Sequence, residues 1–214
     1  SEGRIQNPRE NVLIFPTIRS GEIHFNTTRI TGKSPISLFE LTEAELEARK
    51  QIVELFNLLK EQVPAFKDAY IMRIATQIGV RESRTIQGAY QLTEEDVISG
   101  RKFENGIAKC SYPIDIHSPQ GEGTRISKLK SGDWYEIPYT TLYAPTIKNL
   151  LVAGRCISST HEAQASLRIM PTCMVIGQAA GVAVALANSQ ELQVDQVSTD
   201  ELVTVLKSEG ADLR

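Results

Sequence analysis

The stretch from Lys148 to Ala187, KNLLVAGRCISSTHEAQASLRIMPTCMVIGQAAGVAVALA, constrains the fold more than any other part of this 214-residue chain. Its apolar run Asn149-Leu150-Leu151-Val152-Ala153 has the length and composition of a buried strand, and Gly154-Arg155 is where the backbone can turn. A polar loop is expected next. Pro171 then brings a pre-set helical φ to a first turn, and Gly177, Gly181 and Ala185 recur four apart on one helical face. Such a face packs with its backbone close to whatever it meets. The unit offers a helix N-terminus, with its partial positive charge, to an anionic or electron-rich ligand. The same pattern also suits one αβ unit of any α/β protein.

Composition narrows the partners. The 23 basic and 26 acidic residues leave a net charge of -3 with no dense Lys/Arg cluster, so neither nucleic acid nor an anionic membrane is expected. A small-molecule substrate is the expected partner, and association with a second copy is a further expectation. At 41% hydrophobic content the chain can bury a real core. Cys110, Cys156 and Cys173 are far apart, without C-x-x-C or metal-ligand spacing, which favours reduced thiols and a cytoplasmic setting, and no metal. Ile169 to Ala187 approaches the length of a membrane span, but Pro171, Thr172 and Gln178 interrupt it and no basic flank anchors it.

Along the chain, Asn11–Phe15 and Glu22–Ile30 should pair as a hairpin around Arg19-Ser20-Gly21. On its second strand Ile23, Phe25 and Thr27 alternate with His24, Asn26 and Thr28, a polar row that is either solvated or lines a pocket. Thr42-Glu43-Ala44-Glu45 reads as a capping box opening a helix whose stripe is Leu46, Ile52, Val53, Leu55, Phe56, Leu58 and Leu59, ending by Val63-Pro64. Tyr70–Gln77 reads as a strand leading to Gly79-Val80-Arg81-Glu82-Ser83-Arg84. Thr93 should cap a short helix, Ile107–Ile116 should be extended with Pro113 marking an edge or a bend, and His117 should open a flexible loop. Tyr135–Tyr143 reads as a strand, and a last helix should begin near Ser198.

Taken together, the run NLLVAGR (Asn149–Arg155), the helix GQAAG (Gly177–Gly181), and the segments Gly21–Arg29, Gly79–Arg84 and Tyr112–His117 resemble the carboxyl-terminal part of FAD-dependent oxidoreductases, specifically proteins similar to the flavin-bearing subunit of heterodisulfide reductase. One departure stands out: no stretch has the G-x-G-x-x-G spacing of a phosphate-binding first turn. The chain therefore reads as the carboxyl-terminal portion of a longer flavoprotein, and its principal partner as a missing amino-terminal FAD-binding half.

The resemblance implies an α+β (α/β) architecture. Residues 1–145 would form a substrate or cap domain with a mainly antiparallel sheet. Residues 146–214 would return as strand, loop and helix to complete a Rossmann-like FAD domain. FAD is the implied cofactor of the whole protein, and the portion alone is expected to be inactive. Gly154 and Arg155 would meet the ribityl side, although Arg155 donates where many flavoproteins place an accepting aspartate. The helix start at Arg168, Ile169 and Met170 would face the flavin pyrimidine edge. His161, with Glu162 beside it, is the candidate for proton transfer, imidazole being the side chain suited to exchange near neutrality. Arg81 would stabilise developing charge, and His24, Asn26 and Arg84 are the substrate-side candidates. Two other readings remain open: a non-catalytic binding or assembly module docking through the small-residue helix face, and an NAD-type nucleotide-binding fragment.

Overall fold

The computed structural model describes residues 11–117 and 124–213 and groups the chain into two compact units, one ending at Val80 and the other beginning at Arg81. The loop expected after His117 lies outside the described residues.

In the first unit β1 (Ile14–Pro16) and β2 (Ile23–Phe25) form the expected hairpin, with Ile14 opposite Phe25. Beyond the ladder Thr27 is buried, and its hydroxyl takes the Leu13 N–H at 3.1 Å. Helix α1 spans Leu38–Gln62 and starts four residues before the expected Thr42. Its cap is Ser37, whose hydroxyl accepts from Glu40 N–H while Glu40 Oε2 takes the Ser34 N–H at 2.8 Å. Ser37-x-x-Glu40 is itself a capping sequence. Thr42 lies inside the helix and donates to Leu38 C=O at 2.8 Å, a bond its hydroxyl makes readily from an interior position.

The buried line of α1 is Ala44, Ala48, Gln51 and Leu55, while Leu46 and Val53, both expected in the core stripe, are exposed. Small side chains allow close approach here, and Gln51 fixes it: its amide accepts from Arg29 N–H and donates to Arg29 C=O, both at 3.0 Å. Tyr70–Gln77, expected as a strand, enters no ladder among the described residues and bends at its end, and Tyr70, Ile71, Met72 and Ile74 are exposed.

The second unit holds the main core. Helix α2 (Glu94–Ile98) carries the expected Thr93 cap, reciprocated by Asp96. The expected extended run breaks at Ser111–Pro113 into β3 (Gly106–Cys110) and β4 (Ile114–His117). β4 pairs antiparallel with β5 (Thr124–Ser127), and β3 pairs antiparallel with β6 (Tyr135–Pro138), which passes into a 3-10 turn at Tyr139–Thr141. The expectation of one substrate-domain sheet is thus replaced, among the described residues, by three separate two-stranded pairs.

The run Asn149–Ala153, expected as a buried strand, enters no ladder among the described residues. Backbone hydrogen bonds nevertheless hold the stretch on both sides of the glycine turn, and before it Val152 N–H donates to Leu142 C=O at 2.7 Å. Cys156 C=O accepts from Ile86, Ser158 donates to Thr141 and accepts from Leu92, and Thr160 donates to Leu92. Gly88 is required there, because a Cβ would stand 2.6 Å from Ser158 Cβ. The polar loop expected after it is a helix, α3 (His161–Leu167), capped by the Thr160 hydroxyl and buried along Ala163–Leu167.

Helix α4 (Met170–Ser189) follows at once, and α5 (Thr199–Ser208) closes the chain with Leu202 and Leu206 buried. α4 packs on β3 and α5 through Thr172, Ile176, Ala179, Ala180, Ala183 and Ala187. The helices after residue 146 and the β3–β6 pair before it therefore share one core. α4 has the length and composition of a membrane span, with a third of it buried in this fold. The face of Gly177, Gly181 and Ala185 points away from that core, and a Cβ at either glycine would meet nothing within 4 Å.

Candidate functional site

Helix α3 assembles the site. On a helix, positions i, i+3 and i+7 share a face, and they carry His161, Gln164 and Arg168. The face meets the extended segment that starts the unit. Glu82 Oε2 lies 2.6 Å from His161 Nδ1, and the buried Gln164 donates from Nε2 to Arg81 C=O at 2.9 Å. Glu82 thus pairs with a residue far along the chain. His161 remains 55% exposed, so its ring is both held and reachable.

Arg168 ends α3 and donates to Asp115 C=O at 3.1 Å. Burial lowers its pKa, and the neighbouring Arg81 charge lowers it further. The accepting end of the Gln164 amide is unspent: Oε1 is buried and has no hydrogen-bond partner among the described residues. Behind α3, Ser166 donates to Tyr112 C=O at 2.6 Å and lies 2.8 Å from Tyr135 Oη, while Thr172 donates to Cys110 Sγ at 3.3 Å. Burial pushes the Tyr135 phenol well up, as suits a neutral structural anchor.

The start of α4 is open. Ile169 caps it with no side-chain hydrogen bond, Pro171 is in its first turn, Met170 is 80% exposed and Met174 is 73% exposed. The free N–H groups of a helix start, left without a side-chain acceptor, form a donor site with the positive end of the helix dipole behind it. The 3-10 turn Gly154–Cys156 packs against α4. Gly154 has φ +83° and open space where a Cβ would be. Burial raises the Cys173 thiol pKa, and the Arg155 charge counters this in part.

Of the residues expected at a site, Arg81, His161 and Arg168 come together on α3 and the segment facing it. Ile169 and Met170 follow directly, and Gly154 and Arg155 pack against the same helix. Arg84 is exposed on the extended segment. His24 and Asn26 belong to the first unit, on and just after β2, and both are exposed. Glu82 and Gln164 were not expected. The spacing of His161, Gln164 and Arg168 could have revealed Gln164 had the stretch been read as a helix; nothing in the sequence pairs Glu82 with a residue so distant.

A family model for FAD dependent oxidoreductases matches residues 1–206. The chain belongs to that family. Comparison with curated proteins and with solved structures gave no match. Membership makes FAD the cofactor the family uses and electron transfer its chemistry. The open α4 start, the unpartnered Gln164 Oε1 and the space beside Gly154 fit a planar group that needs both donors and an acceptor.

Proposed function

We propose that this chain is the flavin-closing and substrate-side portion of an FAD-dependent oxidoreductase similar to the flavin-bearing subunit of heterodisulfide reductase. Its partner is an amino-terminal half carrying G-x-G-x-x-G, and residues 146–214 are the return segment. The observation that carries the reading is the uncapped, exposed start of a 20-residue helix. FAD, when bound, supplies two-electron acceptance.

The chain's own residues then have these roles. The N–H groups of Ile169 and Met170, with Pro171 after them having none, donate to an electron-rich edge, and Arg168 adds positive charge behind them. Gly154 admits close backbone approach and Arg155 donates to hydroxyls nearby. Gln164 Oε1 accepts a donor. Glu82 holds His161 at Nδ1, which fixes the ring and leaves Nε2 to give or take a substrate proton. Arg81 and Arg84 attract an anionic substrate group, and His24 and Asn26 are the substrate-side residues that the first unit carries.

The test is purification of the full-length gene product. It should be yellow with a bound flavin spectrum; a colourless, folded product would overturn the reading. In that holoprotein His161→Gln should keep flavin yet slow its reduction by substrate by about 10²-fold or more. Glu82→Gln should keep flavin and slow reduction by a smaller factor.

The open face of Gly177, Gly181 and Ala185 favours a second reading in which α4 docks a protein. That reading predicts that Gly181→Leu breaks an assembly while leaving any flavin spectrum unchanged.

A further inference from the structure

A concave site of about 620 Å³ lies in the second unit between the end of β3 and the turn that joins β5 to β6. That volume falls in the range of small-molecule pockets. Its polar groups are unbalanced. Lys109, Lys128 and Lys130 line it together with the hydroxyls of Ser111 and Ser131. The two carboxylates present are already engaged: Asp133 with Lys102 at 3.0 Å and Asp212 with Lys109 at 2.9 Å.

What remains unspent is donor capacity. Lys128 and Lys130 are exposed and make no ion pair among the described residues. Trp134, which also lines the site, has a buried Nε1–H with no acceptor among the described residues. The Lys102 and Lys109 ammonium groups stand 4.1 and 4.8 Å from its ring centroid, which holds the indole in place. The Asp212 side chain is 92% exposed, so its pair with Lys109 is a weak one that an incoming anion can displace.

We propose that this groove binds a small, multiply charged anion. Lysines act as point charges without the planar fork of arginine, so they accept phosphate and clustered carboxylates alike. The site uses none of the residues assigned to flavin, and its test does not depend on that assignment.

Trp134 is the one tryptophan of the chain, so its emission reports this site alone. The 214-residue chain is titrated with pyrophosphate and, separately, citrate at ionic strength held constant with sodium chloride. A saturable emission change with either anion is expected, and the anion that binds more tightly identifies the phosphate or the carboxylate source. Lys128→Ser with Lys130→Ser should weaken that binding by about tenfold, since two exposed ion pairs are lost. Both side chains are exposed, so the variant should keep its unfolding midpoint. Emission that tracks chloride alone, or unchanged affinity in the double variant, would overturn the proposal.

Discussion

Asp96 shows what a single buried charge does in this fold. Its side chain is 3% exposed and gathers the Thr93 N–H, the Thr93 and Tyr90 hydroxyls and Arg101 Nη1, all within 3.0 Å. Burial alone would oppose its ionisation, but the bonds from Thr93, Tyr90 and Arg101 outweigh it and hold its pKa below the ordinary value of 3.8. A lowered folded pKa means that the contribution is full above that value and is lost as pH falls through and below it. Asp96→Asn should therefore cost about 2 kcal/mol in urea unfolding at neutral pH, tempered by the half-exposed Arg101. The loss should shrink in acid; a deficit that stays constant to the lowest pH would show that packing, not charge, is responsible. The Thr93-Glu94-Glu95-Asp96 cap was legible because it is made of near neighbours. The Glu82–His161 pair was not, because only the fold brings it together.

At the scale of elements, legibility followed the same division. The caps of α2 and α5 and the first hairpin were readable, since local capping and alternation decide them. The start of α1 was misplaced because Ser37-x-x-Glu40 offers a cap four residues before the one expected. The Asn149–Ala153 strand and the Tyr70–Gln77 strand were misread because apolar side chains in a run name neither a ladder partner nor a surface to cover them, and none of these residues is buried. The polar stretch at α3 was misread as a loop because its buried Ala163, Ala165 and Leu167 are interleaved with Gln164 and Ser166, which are buried too. α4 was placed correctly, yet its small-residue face does not meet the core. At that face Gly181→Ala should raise the stability of this chain by about 0.5–1 kcal/mol, because Ala forms helix better and its Cβ enters open space. Destabilisation in denaturant titration would mean that the face is in contact in solution.

For the molecule as a whole, the extended core cluster lies entirely at Leu92 and beyond, whereas the buried apolar residues of the first unit are Ala44, Ala48 and Leu55. Hydrogen exchange should accordingly divide the chain. Amides of β3, β6 and the inner face of α4 should exchange at least about tenfold more slowly than those of α1 and the β1–β2 hairpin, since opening free energy follows buried contact. Equal protection in both units would refute that division. The helix at the centre of the larger unit hides threonine, isoleucine and alanine while it shows methionine, valine and glycine. Both of its sides are largely apolar, so wetness does not sort them. A rod of that kind gives water no preference for its outer side, so the behaviour of this chain in solution depends on what comes to lie against it.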